Sequence, residues 1–545
     1  MDFPGTLTRW TAPALAAILG LVSLLAGLVL SSGVKGPSPS STSSPGITKP
    51  LPPTLPWVFA PISPEGTDGI QVSPTVAVGG VVFPLSFKPL VRSGGVLGGG
   101  IFGVVRNTLG APLIRGALPS QNPANSVPLI LANQSYLLTP FTTTPGALYL
   151  SQLAREGNEL AMSATRSLDL SPLGGLIQPR GIASTPWRTW LVTEDLNLRG
   201  DRSPEAMVSY RRGKAVDPYG YGWPVELHPP DQDKDAVGAR RLGMGRLGAS
   251  TLVALPDSRS IYLGAGRLLY LYVADNPGDL STGRLFAAQG VSDPNSGGLQ
   301  LNWRDLGSLG ESAITPRLEG KVSLGDLYDS ANPGRDGQCP SGYTLTSPRE
   351  CLRFRPAMES LAGRLEPRRA ALVVGATGLP GAIGGLAYDP HNQILYLALP
   401  GGEADPATNP CGAVYSMPLG TETSVAGGLV GRRAQLVTAG WFAAKGCDSE
   451  RVVHPTSLAV LPGGATLLVG EEGTAGRVWA MDPGQGHPTR ALVSPAGLAV
   501  TGLHYQPDLL GQGYLMVALS AVAGTGRDTI RGMVGYLGPF PEYRF

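Results

Sequence analysis

The sequence predicts an all-β fold, a β-propeller of six blades, and three observations carry that expectation. From residue 57 onward the apolar runs are short, rich in aliphatic and β-branched residues, and bounded by Gly, Pro, Asn or Ser, with almost no long helical period. The chain holds 76 Gly and 51 Pro among 545 residues, which suits many tight turns between short strands. One unit recurs: an apolar strand, a Pro- or Asp-containing turn and a second apolar strand. It is seen in "STLVALPDSRSIYLGAG" (250–266), "GGLAYDPHNQILYLAL" (384–399), "TSLAVLPGGATLLVGEE" (456–472) and "TGLHYQPDLLGQGYLMVAL" (501–519), with a shorter version in "IASTPWRTWLVTED" (182–195). Repeated hairpins in a long chain are the mark of a ring that closes on itself and so leaves no open sheet edge. Irregular spacing between the units implies loop insertions, above all at 320–370.

Ahead of this domain (57–545) lie two other segments. Residues 11–32, "TAPALAAILGLVSLLAGLVLSS", carry no charge and follow Arg9. This run is long enough to cross a bilayer core, which needs about 20 residues. The expectation for 1–32 is an uncleaved signal-anchor, the alternative being a cleaved signal peptide followed by release. No Cys follows the run as a lipid attachment point. Residues 33–56, Pro- and Ser-rich, read as a semi-extended tether. Both readings place the propeller outside the cytoplasm.

Formal net charge is +2, from 42 basic and 40 acidic residues, with the Arg scattered, so nucleic acid is not expected as a partner. The four cysteines, Cys339, Cys351, Cys411 and Cys447, suit two disulfides in an exported chain, and neighbour pairing is the simplest of three connectivities. No closely spaced pair points to zinc. "ALVVGATGLPGAIGG" (371–385) imitates a dinucleotide-binding turn, but a hairpin follows it where a helix is needed, so a loop between blades is expected. Asp231, Asp233 and Asp235 have calcium-loop spacing, yet Ala236 and Leu242 stand where a full loop has Gly and Glu, which favours a charged surface loop. The five histidines fit no metal or triad spacing, and no nucleophile elbow is present.

"STPWRTWLVTEDL" (184–196) resembles the Thr-Pro-Trp-Gly-Thr-Trp-Leu-Thr-Cys-Glu-Glu signature of PhoX-type alkaline phosphatases, exported bacterial propeller enzymes. In the family's order, "RLGMGRLGAS" (241–250), "LYLYVADNPGDLSTGRL" (269–285), "PRLEG" (316–320) and "HPTSLAVLPGGATLLVGEEG" (454–473) are similar to later segments. The resemblance spans roughly 175–480. It implies phosphate monoester hydrolysis on a cluster of iron and calcium ions, whose charge several convergent carboxylates must balance. Carried over by position, the metal candidates are Glu194, Asp195, Glu319, Glu471 and Glu472, with Arg317 as a phosphate contact. Other positions depart from the pattern. Arg180 stands at the iron-binding Cys, Ala249-Ser250 at a His-Glu, Gly264-Ala265-Gly266 at a Thr-Glu-Asp, and Thr456-Ser457 at an Asp-Asn. Iron is therefore not expected, and calcium is the one metal retained as a candidate. The favoured expectation is a propeller that kept its framework, including Trp187 and Trp190, and lost its catalysis. It would serve as a binding or scaffold module for a protein, glycan or phosphorylated ligand. The alternative is a calcium-dependent phosphomonoesterase using Glu194, Glu319 and Glu471. A third reading, a propeller of the sugar-dehydrogenase type suggested by 501–519, lacks a histidine base or cofactor motif.

Overall fold

The computed structural model describes residues 55–540, apart from 63–68, 114–117, 132–133, 158, 197–204, 231–235, 403–408, 421–424, 444–445, 474, 485–486 and 523–530. The apolar run 11–32, the tether up to Thr54 and the acidic loop 231–235 lie outside the described residues. No described helix is long and apolar enough to cross a membrane.

The described strands form six blades of antiparallel strands. Blade 1 is Val127–Ile130, Ser135–Phe141, Ala147–Glu156 and Glu159–Ser167, in that order from the inside outward. Blade 2 is Pro179–Ser184, Trp190–Glu194, Val225–His228 and Val237–Arg240. Blade 3 starts at Thr251–Ala254, blade 4 at Gly385–Asp389, blade 5 at Pro455–Val460 and blade 6 at Leu498–Leu509. These six innermost strands neighbour one another in sequence order, and the sixth returns to the first, so the ring is closed. Every hairpin expected from sequence is a first-and-second-strand pair of a blade. One boundary differs: Pro507 and Asp508 continue the inner strand of blade 6 across a bulge, and the turn comes at Leu510-Gly511.

Each blade buries both faces, which is why its strands read as near-continuous apolar runs rather than alternating ones. One apolar cluster fills each gap between blades. Leu138, Leu148, Ile182 and Trp190 fill the gap between blades 1 and 2, and Tyr396, Val414, Leu458 and Trp479 that between 4 and 5. Trp190, fully buried, also donates from Nε1 to Val127 O of blade 1 at 3.1 Å. Near the axis the inner strands approach closely, and glycine makes this possible. A Cβ on Gly502 would sit 2.2 Å from Asn125 Cα, and one on Gly385 2.6 Å from Thr456 O.

Three features have no counterpart in the sequence reading. The strand Ser86–Arg92 forms the outer edge of blade 6 beside Met533–Phe540, locking an early strand to the last described one. The strand Gln71–Val72 extends blade 5 outward. The long strand Leu299–Gly310 follows blade 3 and pairs with the outer strand of blade 4 at Leu299–Ala434, joining the two blades in one sheet.

The expected insertion is real. It runs from helix Glu311–Glu319 through a three-stranded sheet (328–331, 344–347, 350–354) to helices Glu359–Leu365 and Pro367–Val373, and shares an apolar cluster with Tyr219 and Trp223 of blade 2. Both disulfides take the neighbour pairing: Cys339–Cys351 within the insertion and Cys411–Cys447 on blade 4. "ALVV" ends the helix Pro367–Val373 rather than forming a strand. The glycines after it lead directly into the inner strand of blade 4, as a loop between blades.

Candidate functional site

A channel of about 470 Å³ runs along the axis, lined by the inner strands. One end, where these strands begin, holds four of the five acids that the resemblance singles out. They belong to blades 2 and 5, which face each other across a six-membered ring.

In blade 2, Pro179 opens the inner strand and pairs with Glu194 at the end of the second. The residue before that proline, Gln178, has φ 44°, a left-handed conformation that costs a non-glycine residue about 1–2 kcal/mol. Glu194 is 1 % exposed. Its two carboxylate oxygens accept the Ile177 amide at 2.7 Å and the Gly222 amide at 2.6 Å. Asp195 donates its own amide to Gln178 O at 3.0 Å.

Blade 5 repeats the arrangement. Pro455 pairs with Glu471, and His454 before it has φ 48°. Glu471, also buried, accepts the Val453 amide at 2.5 Å and the Trp479 indole at 2.6 Å, with Arg477 at 3.2 Å. Glu472 donates its amide to His454 O at 3.3 Å. In each blade a buried glutamate thus holds the strained turn that aims the inner strand. Burial pushes the carboxyls of Glu194 and Glu471 above the usual range. Main-chain amides and the cations Arg240 and Arg477, respectively, oppose that rise without cancelling it.

The second acid of each pair meets Arg180, the first channel-lining residue of blade 2. Arg180 Nη2 lies 3.0 Å from Glu472 Oε2 of the opposite blade, and Nη1 lies 3.6 Å from Asp195 Oδ2. The guanidinium is a bar across the channel mouth. Desolvation raises the Asp195 carboxyl, Arg180 counters it, and the charge of Glu472 adds to it. A second cavity, about 500 Å³, shares Arg180 and Thr501 with the channel and widens the mouth over blades 1 and 6.

Glu319 and Arg317 are elsewhere. Both are exposed near the end of helix Glu311–Glu319 in the insertion, and neither lines the channel. The structure therefore does not bring Glu194, Glu319 and Glu471 together, and among the described residues no three His, Cys, Asp or Glu side chains are grouped to hold a metal ion. Glu471 is buried and sealed in by Trp479. The Thr-Pro-Trp turn of the opening signature lies at the far end of the blade from the acids. Glu226 accepts there from Trp187 Nε1 at 2.6 Å, Thr189 Oγ1 at 2.7 Å and Arg241 Nε at 2.7 Å, so those signature residues frame the blade.

At the substituted positions, Ser250 Oγ donates to main-chain oxygens, with Ile383 O at 3.0 Å. Thr456 Oγ1, Ser457 Oγ and Asn125 Oδ1 are buried and have no hydrogen-bond partner. Deeper in the channel, His504 is pressed toward its neutral form, its pKa lowered to about 4 by the surrounding protein. Sequence reasoning noticed Arg180 as a substitution but not that it reaches across the ring. It missed the paired turns altogether, although both carry a readable signal: an X-Pro followed about 15 residues later by two acids.

No protein-family model and no curated protein matches the chain. Among solved structures, it is similar to PhoX of Pseudomonas fluorescens, solved in complex with vanadate, a transition-state analogue. The TM-score is 0.59 and the identity 16 %, over 89 % of this chain and 98 % of that one. Two further likenesses are too remote to bear on the argument. The Cps50 (Swd1) β-propeller domain of Myceliophteria thermophila has a TM-score of 0.34 at 9 % identity, over 74 % and 94 % of the two chains. Hydrazine synthase of Kuenenia stuttgartiensis has 0.30 at 10 %, over 71 % and 92 %. In its fold the chain is a PhoX-like β-propeller.

Proposed function

We propose that this chain is an extracytoplasmic binding module that keeps the PhoX-like ring without its metal chemistry. The observation that carries the reading is Arg180. It stands where the resemblance implies a thiolate ligand to iron, and its guanidinium takes up the two acids, Asp195 and Glu472, that remain at the mouth. The other two mouth acids have their oxygens committed to main-chain amides and an indole. This donor set does not fit a cluster of iron and calcium. A thiolate is replaced by a fixed cation, and the carboxylates that would compensate several positive ions already have partners. Two disulfides agree with an oxidising compartment outside the cytoplasm.

The test is elemental analysis of the full chain, purified after export with iron and calcium supplied, beside a phosphomonoesterase assay. The expected result is no iron, at most one calcium and no hydrolysis. Stoichiometric iron with several calcium ions, or calcium-dependent hydrolysis lost in Asp195→Asn, would overturn the reading in favour of an enzyme with a reduced metal site.

A further inference from the structure

Away from the channel, a small sheet at the start of the described chain has an unusual outer surface. Its three antiparallel strands are Trp57–Phe59, Thr75–Val78 and Val81–Pro84. One face is core: Trp57, Phe59 and Val76 pack with Leu461 and Leu468 of blade 5 and Leu515 and Leu537 of blade 6. The Trp57 amide donates to Thr466 Oγ1 at 3.0 Å, in the turn between the first two strands of blade 5. That turn is at the opposite end of the blade from Pro455 and Glu471, so the sheet lies at the end of the ring away from the Arg180 mouth. An antiparallel sheet with one covered face normally turns polar side chains outward on the other. Here the outward face is apolar as well. Val58, Ala77 and Val82 are cross-strand partners in one row, Thr75 and Pro84 pair in the next, and Pro56 precedes Val58 by two residues. Val58 and Val82 are 60 % and 61 % exposed. Thr75 is the one polar side chain among these six, and none carries a charge. An apolar patch left open in this way marks a contact with lipid or with protein.

Size and position select the occupant. Strand rise and spacing give this face an area of about 200 Å². A stable interface needs about 800 Å² per partner, so a second copy of the chain would not be held by it. A bilayer has no such threshold here, because the chain itself supplies the attachment. The residues ahead of Leu55 include the uncharged run 11–32, long enough to cross a bilayer, and the Pro- and Ser-rich tether from that run joins the folded domain at this sheet. A face without charge can meet lipid with no ion to desolvate. The strand Val81–Pro84 has no partner on its outer side among the described residues, and unpaired main-chain groups do not enter hydrocarbon. The contact is therefore shallow, at the boundary between headgroups and acyl chains.

We propose that the Val58–Ala77–Val82 face rests on a lipid bilayer, the one that residues 11–32 enter, and that the Arg180 mouth opens on the side away from it. Orientation on a membrane is independent of what the channel binds or hydrolyses, and requires only that the apolar run be retained in the bilayer. All four cysteines are in disulfides, so a single added thiol can be labelled. The full chain is spin-labelled at Val82→Cys, at Val58→Cys or, for the mouth, at Gly473→Cys, where a side chain meets open space. Each is reconstituted in phosphatidylcholine vesicles. Collisions are then measured with oxygen, which concentrates in lipid, and with a water-soluble nickel chelate. The expected result is a loss of nickel collisions with oxygen collisions retained at Val82 and Val58, and no such loss at Gly473. The pattern should persist in high salt, because the face carries no charge. Nickel access at Val82 and Val58 equal to that at Gly473 would overturn the proposal, as would release of the chain from the vesicles. Labels shielded from both reagents, with spin–spin broadening that disappears on dilution with unlabelled chain, would put a second copy on the face and overturn it too.

Discussion

The mouth ends of blades 2 and 5 are built alike and used differently within each pair of adjacent acids. Glu194 and Glu471 are sealed, each accepting the amide two residues before the proline that opens the inner strand. Asp195 and Glu472, one residue further on, turn to Arg180 at the mouth. Two neighbouring carboxylates therefore do unrelated work: the first fixes a strained turn, the second sets the charge of an opening. In this ring an acidic pair at a strand end is one structural residue and one surface residue, and it cannot be counted as two ligands.

The comparison can be broken most forcefully through the disulfide beside blade 5. Cys411–Cys447 closes 36 residues and Cys339–Cys351 closes 12. Chain entropy then makes the first worth about 4 kcal/mol and the second about 3 kcal/mol. Replacing Cys411 and Cys447 by Ser should lower the urea midpoint more than replacing the insertion pair. It should also speed hydrogen exchange at the Val453 amide while leaving Ile177, the equivalent in blade 2, protected. Equal exchange at both amides would mean that the disulfide does not support the blade 5 turn.

Next in size are the sealed glutamates. Glu194→Ala or Glu471→Ala leaves buried N–H groups without an acceptor, at a cost of about 3 kcal/mol in chemical denaturation. Asp195→Ala and Glu472→Ala should each change stability by under about 1 kcal/mol, as expected of exposed ion pairs. Comparable losses within a pair would contradict the division of labour.

A subtler effect follows from pH. The folded pKa values of Glu194 and Glu471 lie above the unfolded value of 4.5, so the native state holds these protons more tightly. Their contribution to stability is complete below pH 4.5 and is lost as pH rises through the folded values. Glu194→Gln should flatten that part of the stability profile.

The smallest expected change in stability is that of Arg180→Ala, under about 1 kcal/mol, because the bridged groups remain partly in solvent. Its effect on the mouth is qualitative. With the bar removed, Asp195 and Glu472 are left without their shared cation. Calcium should then raise the melting temperature of the variant and leave that of the natural chain unchanged.

Most of the ring was legible because propeller strands carry their own punctuation. The hairpins at 250–266, 384–399 and 456–472 are bounded by Gly and Pro, and their runs are apolar throughout because both faces are covered. The closing strand Ser86–Arg92 was not legible. It carries Lys88 and Arg92, and its membership in blade 6 depends on a partner at the other end of the chain. The insertion was placed by the irregular spacing of the hairpin units, but its short helices have too little length for a period to show. At the mouth, sequence located the acids yet could not tell a carboxylate accepting amides from one facing a channel, since both look like Glu followed by an acid. Nor does spacing reveal that residues 180 and 472 meet, because that depends on the number of blades. Only a six-membered ring sets the second blade opposite the fifth.

The strand Ser86–Arg92 also governs when the molecule can become whole. Ser86 and its partner Gly538 are 452 residues apart. During synthesis from the N-terminus the closing strand is made early and then waits, one edge unclaimed, until its partner Met533–Phe540 is made. Blades 1 to 5 can each form from local hairpins within that interval. Blade 6 cannot, and loop closure over so long a span makes the final pairing slow and all-or-none. A chain ending before Met533 would lose this joint while keeping most of its contacts. Such a product would be an open ring with two sticky edges, which gives quality-control proteases a ready means of telling finished molecules from unfinished ones.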